Sequence, residues 1–394
     1  MKKFICKHPW AHFEVNNPNG DVTMCCNNNT VLGNVNDNTL EEIWNGPGFK
    51  KSREKMLNEG AHTMCPHTCP VLQGGKKYEN LDWYADLSED GEPRKNAVVN
   101  EDEFASGLTV LRSLPRWLRF TYSYACNLDC YHCYQREDAK MRIKLPDAFM
   151  AEIRKYASIS QVVFPFGGEP FYFKPVIDFL DEHNANLETR FYFITNATLL
   201  TDKVYETLNR LPISCMAASL DAATEKSFDS LRVRGKNARW DTAIANLHRL
   251  KEMKEKKDFQ FTVSMTVNSV NCDEIEEFVD LALSYDAEPL VTLVANPNQT
   301  ADFQKEYLQF SDQQFQRMFD DIAKSLPKVR KRKFEDAEIF LEQLTSVLKQ
   351  HRSTDNNSAH FRAKKIARGA FQVLPEQLQL PIRRIVQRAR TKQL

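Results

Sequence analysis

Through the middle of the chain, apolar runs of strand length alternate with segments of helical period. β-Branched or aromatic runs occur at 117–124, 161–166, 190–195, 213–219, 259–267 and 289–295. Between them, apolar positions recur at helical spacing over 147–158, 174–184, 202–210, 237–255 and 273–285. Thr201-Asp202 supplies a start signal for one helix, and Asn271 with Asp273 and Glu274 supplies one for another. Strands alternating with helices over roughly 180 residues predict a parallel sheet with crossover helices. Six such repeats fit a partial (βα)6 TIM-type barrel over residues 116–300, an α/β fold.

The flanks read differently. Residues 1–75 are rich in Asn, Gly and Cys with little helical period, and predict loops and short strands around a metal centre. They anchor a small Cys-rich domain over 1–80. From Asp86 to Glu103 there are seven acidic residues against two basic, with Gly91 and Pro93 among them. This predicts a linker over 81–115. After residue 300 the pattern is helical, giving a helical extension over 301–352 and a basic amphipathic tail over 353–394.

Composition sharpens this picture in two places. A chain of 394 residues with 42% hydrophobic and 27% charged side chains is globular, and no run approaches the ~18 apolar residues of a membrane span. Net charge is zero, from 53 basic and 53 acidic residues, which gives no global field for nucleic acid. The last 34 residues nevertheless hold nine basic residues and one acid, so a +8 tail faces a −8 remainder. Leu378, Ile382, Ile385, Val386 and Ala389 form one apolar stripe among its arginines. That stripe suits an anionic membrane surface, a partner, or packing against the acidic remainder. Eight of the ten cysteines lie before residue 134. The N-terminus has no apolar core of a secretory signal, which predicts a cytoplasmic protein, with the tail as its route to a membrane surface. In a reducing compartment, clustered cysteines are metal ligands or redox groups before they are disulfides. Cys215 and Cys272 read as core and helix-start residues.

Cys126, Cys130 and Cys133 follow the first strand of the repeat with C-x3-C-x2-C spacing. Three thiolates in one loop can hold three irons of a four-iron cluster and leave the fourth open. The alternative is a zinc site completed by a histidine. Further motifs follow later strands: Gly167-Gly168-Glu169-Pro170, then Thr195-Asn196-Ala197-Thr198-Leu199-Leu200, then Ser219-Leu220-Asp221-Ala222 with Arg232 beyond. Two glycines let backbone approach a ligand closely, and a carboxylate can pair with an ammonium.

In this order, each at a strand end, the motifs resemble those of the radical S-adenosylmethionine (radical SAM) superfamily. The resemblance implies a SAM-binding [4Fe-4S] cluster on Cys126, Cys130 and Cys133, with His132 where the family carries a ring beside the adenine. It implies that Gly167, Gly168, Glu169 and Pro170 bind the methionine amino group. Asn196, Ser219 and Arg232 then supply polar contacts to SAM. Ala197 stands where the family has glycine. The implied chemistry is reductive cleavage of SAM to a 5′-deoxyadenosyl radical that abstracts hydrogen from an unactivated C–H bond. The electron comes from a flavodoxin- or ferredoxin-type donor.

At the N-terminus stand Cys6, the Cys25-Cys26 doublet and the Cys65/Cys69 pair. Four converging cysteines make a closed metal site, and residue type alone leaves a four-iron cluster and zinc both open. The words around them, among them Gly20-Asp-Val-Thr-Met-Cys25, Glu42-Ile-Trp-Asn-Gly46 and Arg53, resemble the SPASM or twitch auxiliary-cluster domain. The implied ligands of an auxiliary [4Fe-4S] cluster are Cys6, Cys25, Cys65 and Cys69, with Cys26 competing with Cys25. His8, His62 and His67 are substitutes. In relatives this domain follows the barrel; here it precedes it. The expected reaction is an oxidation of a peptide side chain or a small polar metabolite, assisted by the auxiliary cluster. Competing expectations are a redox-neutral epimerisation or rearrangement, and, from another class, a zinc-bearing nucleic-acid-binding protein.

Overall fold

The protein is described from a computed structural model over residues 3–26, 28–66, 69, 71–72, 81–133, 135, 143–183, 188–232, 239–294 and 307–355. The chain forms two compact units. The first comprises Met1–Cys126, Glu137–Phe193 and Thr201–Ser214, the second Asn127–Arg136, Ile194–Leu200 and Cys215–Leu394.

In the first unit a short helix α1 (His8–Ala11) runs directly into strand β1 (His12–Val15), followed by β2 (Asp21–Thr23) and β3 (Gly33–Asn34). Helices α2 (Leu40–Trp44), α3 (Pro47–Glu59), α4 (Ala61–Met64) and α5 (Glu92–Ala105) come next. Then β4 (Trp117–Thr121), α6 (Asp147–Ala157), β5 (Val162–Phe166), α7 (Lys174–Glu182), β6 (Arg190–Thr195) and α8 (Asp202–Arg210) alternate. The strands lie in the order β3-β2-β1-β4-β5-β6. β1 pairs antiparallel with β2 but parallel with β4, with His12 opposite Trp117 and Glu14 opposite Arg119. On one face, Phe120 and Phe191 pack with Phe149 of α6 and Phe179 of α7. The alternate residues, among them His12, Glu14, Trp117, Arg119, Phe164 and Tyr192, lie on the opposite face, as the strand period of two requires.

Two segments depart from expectation. The stretch around α3, read as loop, is helical for thirteen residues, and it buries Phe49, Ser52, Arg53 and Met56. These positions follow the i, i+3, i+4, i+7 rule, but two of the four are polar, so hydrophobic patterning passed over them. The acidic stretch read as linker forms α5, with Pro93 in its first turn, where a missing N–H costs nothing. It too buries polar residues. Asn96 bonds the backbone of Leu114, Asn100 the carbonyl of Trp10, and Glu103 the amides of Arg112 and Ser113. The helix is a polar clamp on the approach to β4.

In the second unit, β7 (Ile213–Ser219) is followed by α9 (Glu225–Arg232) and α10 (Trp240–Lys256). Then come β8 (Gln260–Val267), α11 (Ile275–Ser284), β9 (Glu288–Leu293), α12 (Asp312–Lys331) and α13 (Glu335–Asp355). β7 pairs with β8 and β8 with β9, both in parallel. From β4 to β9 the chain therefore repeats strand and helix six times and closes with helices. This is the α/β succession of a partial (βα)6 TIM-type barrel with a helical C-terminal region. Thr201 caps α8 through the amide of Val204, as expected. Asn271 does not cap α11, whose N-cap is Glu274; its amide instead donates to the carbonyls of Asp221 and Thr266. The basic run at 328–333 is tied down by ion pairs, Lys328 to Glu276 and Asp280, and Arg330 to Glu338 and Glu342. The amphipathic stripe at 378–389 lies outside the described residues. Among those residues, no helix is long and apolar enough to cross a membrane.

Candidate functional site

Four of the N-terminal cysteines meet in one small cavity. Cys6, Cys25, Cys65 and Cys69 line it together with His8, and Phe4, Met24, Ala61, Val71 and Leu72 complete its apolar wall. Local bonds assemble it from distant segments. The amide of Cys6 points at Met56 Sδ at 3.5 Å, the amide of Ala61 donates to Phe4, and Asn28 Nδ2 donates to the carbonyl of Met64. Cys25 lines the cavity, whereas Cys26, also buried, is not among the lining residues. His62 is not among them either, and His67 lies outside the described residues. No three Cys, His, Asp or Glu side chains among the described residues are gathered closely enough to hold a single metal ion. Four cysteines in an apolar wall are the donor set a four-iron cluster takes.

At the other end of β4, still in the first unit, the chain turns through Ser123 and Ala125 into Cys126. Gly167 and Gly168 pack against this turn with φ of 87° and 55°. A Cβ on Gly167 would run into Thr121 Cγ2, and one on Gly168 into the carbonyl oxygen of Ala125. The glycines are thus required by the Thr121 side chain and the Ala125 carbonyl beside them. The amide of Glu169 donates to Ala125, and the Glu169 side chain is buried, with Oε1 accepting from the amide of Phe171. Pro170 opens a single 3-10 turn.

The second unit holds the rest of the cysteine loop. Asn127 is braced by the third motif, accepting from Asn196 Nδ2 and donating to Thr198 Oγ1, both at 2.8 Å. Ala197 adopts φ 60°, the left-handed region that explains glycine in the family motif, and its carbonyl accepts from Asn246. Between Cys130 and Cys133, His132 Nε2 lies 3.0 Å from Asp221 Oδ2. The same oxygen receives Arg232 Nε at 2.9 Å and Nη2 at 2.5 Å, while Oδ1 accepts from the amide of Thr266. Burial alone would raise the Asp221 carboxyl, but Arg232 and His132 beside it hold it well below the usual carboxylate range. Ser219 sits one residue pair from this hub, in register with Ser264 and 3.3 Å from its hydroxyl.

Residues 120–282 match the family model for the radical SAM superfamily, and residues 6–70 match the SPASM iron-sulfur cluster-binding domain. The chain thus carries a SPASM domain followed by a radical SAM domain. It is 26% identical over 178 residues to an AdoMet-dependent heme synthase of Methanosarcina barkeri, covering 44% of this chain and 49% of that one. It is 26% identical over 223 residues to the mycofactocin maturase MftC of Mycolicibacterium smegmatis, covering 55% and 53%. The chain thus spans about half the length of the curated relatives it matches. Among solved structures, Streptococcus suis SuiB aligns with 17% identity over 74% of this chain and 61% of its own, at a TM-score of 0.43.

The SPASM domain lies ahead of the radical SAM domain in this chain, and the structure shows how that order is accommodated. β1, from the SPASM segment, pairs in parallel with β4, the first barrel strand. Across that joint, Arg119 Nη1 lies 3.2 Å from Glu14 Oε2, and His12 Nδ1 lies 3.4 Å from Glu14 Oε1, all three buried. Arg119 also stacks over Phe166, 4.1 Å from the ring centre. Sequence reasoning missed Glu14, Arg119, Asn127 and Asp221. For Asp221 the signal was present, a carboxylate inside the fourth motif. For Glu14 and Arg119 it was a charged residue at an alternating strand position. Cys215 is buried as expected, whereas Cys272, expected at a helix start, lies in the turn before α11 and is buried there, which pushes its thiol up to about 12.

Proposed function

We propose that this enzyme abstracts a hydrogen atom from a peptide side chain or small polar metabolite and completes a net oxidation, with the auxiliary cluster as acceptor of the second electron. Cys126, Cys130 and Cys133 would hold the core cluster, and Cys6, Cys25, Cys65 and Cys69 the auxiliary one. Gly167 to Pro170, Asn196, Ser219, Arg232 and His132 would hold SAM. Bound there, the core cluster and SAM supply the 5′-deoxyadenosyl radical. The chain's own residues hold the cysteine loop in place, through Asn196 and Thr198 on Asn127 and through Asp221 on His132, and supply a water-poor aromatic strand face.

The observation that carries this reading is the placement of the auxiliary cavity. His8 lines it, and its ring lies 4.2 Å from that of His12, at the N-terminal end of the β1–β4 pair. Cys126 follows the C-terminal end of β4. Two metal sites at opposite ends of one five-residue strand, roughly 15 Å long, fit an electron donor side and an acceptor side better than a shared binding role. At the cavity end of β4 the rings of His12, Trp117 and Tyr192 are in successive contact across the sheet, at 5.3 and 6.1 Å. The relatives' names, a heme synthase and a maturase, support a biosynthetic modification, and the apolar thiol-lined cavity favours iron over the zinc alternative.

The test is anaerobic reconstitution with iron and sulfide, then a screen of peptides and polar metabolites for faster 5′-deoxyadenosine release from SAM with a reduced flavodoxin. One 5′-deoxyadenosine per product lighter by two hydrogens supports the oxidation. A product isomeric with its substrate sinks it in favour of redox-neutral rearrangement.

A further inference from the structure

The sheet of the second unit has two unlike faces. On one, Phe261, Val263, Met265 and Val267 of β8 are fully buried apolar side chains. On the other, the alternate positions carry hydroxyls. The register sets Ser219 beside Ser264 and Leu290, and Thr266 beside Thr292, so that all five share this face. Each of them is only half-buried, which leaves the face within reach of a small molecule. One row further along, Thr262 stands between Ala217 and Glu288. Its side chain points to the hydroxyl face, since Phe261 and Val263 point to the other. Thr262 is 2% exposed, and its Oγ1 makes no hydrogen bond among the described residues.

A buried hydroxyl without a partner is costly, and a ligand that supplies one removes the cost. The composition of the face says what that ligand is. No Lys or Arg stands at these positions, so a phosphate or carboxylate meets no counter-charge. Glu288 is already committed, Oε1 to the amide of Ala337 and Oε2 to Gln260 Nε2, so an ammonium group finds no idle carboxylate. A bulky peptide side chain needs an apolar recess, and Leu290 is the one large apolar residue in the half-buried rows. Hydroxyls both donate and accept, and the groups that match them in both senses are other hydroxyls. Spread over three strands and five residues of β8, the face measures about 10 Å by 13 Å, the footprint of one or two sugar rings.

We propose that this face of β7, β8 and β9 binds the substrate, and that the substrate is an uncharged polyhydroxylated molecule, a sugar or cyclitol, held by Thr262, Ser264, Thr266 and Thr292. Ser219 borders the site from the side assigned to SAM. The proposal rests on the reading of this chain as a SAM-dependent hydrogen abstractor and narrows its substrate. It is tested by binding. The anaerobically reconstituted full-length protein, loaded with SAM and without reductant, is dialysed to equilibrium against radiolabelled myo-inositol, glucose, mannose and N-acetylglucosamine. Glucose 6-phosphate and tetraalanine serve as charged and peptide comparators. One of the neutral compounds should bind at least about tenfold more tightly than either comparator, the value of one or two hydrogen bonds. Thr292→Val keeps the shape and loses the hydroxyl, and should weaken that binding about fivefold. Thr292→Ser, which keeps the hydroxyl, should restore most of it. Should Thr292→Val fail to fold, Thr266→Val on the neighbouring strand decides in the same way. Binding of no neutral compound overturns the proposal, as does a preference for either comparator or an affinity unchanged by loss of the hydroxyl. The two readings fail separately. A sugar that binds here and is not oxidised on adding reductant sinks the oxidation and leaves the site standing, whereas an oxidised peptide does the reverse.

Discussion

The imidazole of His12 stacks on the indole of Trp117, ring centres 5.3 Å apart and planes 13° from parallel, where β1 and β4 run side by side in register. One residue belongs to the auxiliary-cluster segment and the other opens the first barrel strand. The two segments share a hydrogen-bonded sheet edge and, two residues further on, the buried Glu14–Arg119 pair. Glu14→Ala would leave Arg119 without that carboxylate in a buried position. It should lower stability by roughly 3 kcal/mol, read as a lower denaturation midpoint in urea. A change below about 0.5 kcal/mol would show that Arg119 is satisfied without Glu14.

Cys25 and Cys26 should behave oppositely. Cys25→Ala removes a cavity-lining thiol and should bring iron from about eight per chain toward four, the content of one four-iron cluster. Cys26→Ala should leave it near eight. Equal loss in both variants would mean that the doublet shares the ligand role.

Gly168→Ala should damage the core site and spare the auxiliary one. Its new Cβ collides with the Ala125 carbonyl at a φ that already disfavours a side chain, so the turn into Cys126 must move. Anaerobic iron analysis should show loss of about half the iron, together with loss of SAM cleavage. Full iron with normal cleavage would show that the turn relaxes freely.

Ala197→Gly should be neutral or stabilising. Alanine at φ 60° costs about 1–2 kcal/mol, while glycine gives back part of this through its greater freedom in the unfolded chain. The expected gain is at most about 1 kcal/mol in equilibrium denaturation. A clear loss would mean that the alanine methyl contributes packing worth more than the strain.

His183 sets an acid limb to stability. Its ring packs 4.8 Å from Phe191 and 5.8 Å from Phe179, and burial pulls its pKa from 6.5 down to about 4. As pH falls, the unfolded chain takes up the proton first. The stabilisation is therefore complete above pH 6.5 and is lost as pH falls toward about 4, by roughly 2 kcal/mol. His183→Phe should flatten that part of the pH–stability curve. An unchanged slope would assign the acid limb to other groups.

Much of the site was legible before any coordinate. Cys126, Cys130, Cys133, the Gly167–Pro170 turn and the six strand–helix repeats announce themselves through spacing, because a three-cysteine loop and a strand-end glycine pair are local requirements. What stayed hidden was polar and long-range. α3 and α5 were read as loop and linker because their buried faces carry Ser52, Arg53, Asn96, Asn100 and Glu103, and hydrophobic periodicity is blind to a helix that buries hydrogen-bonding groups. Asp221 stands inside a motif, but its role is not legible there, since its partners His132 and Arg232 stand 89 and 11 residues away in the chain.

The sequence by itself determined the chemistry: which thiols are grouped, which family they resemble, and the alternation that makes the sheet parallel. These follow from residue types a few positions apart. Only the tertiary structure decided that Cys25 rather than Cys26 faces the cavity, that the SPASM strand joins β4 in parallel, and that one aspartate orients the ring in the cysteine loop. Each of these depends on where a side chain points and on what a distant segment brings to meet it. That direction is set by packing and by the need to pair every buried polar group, which no single stretch of the chain encodes.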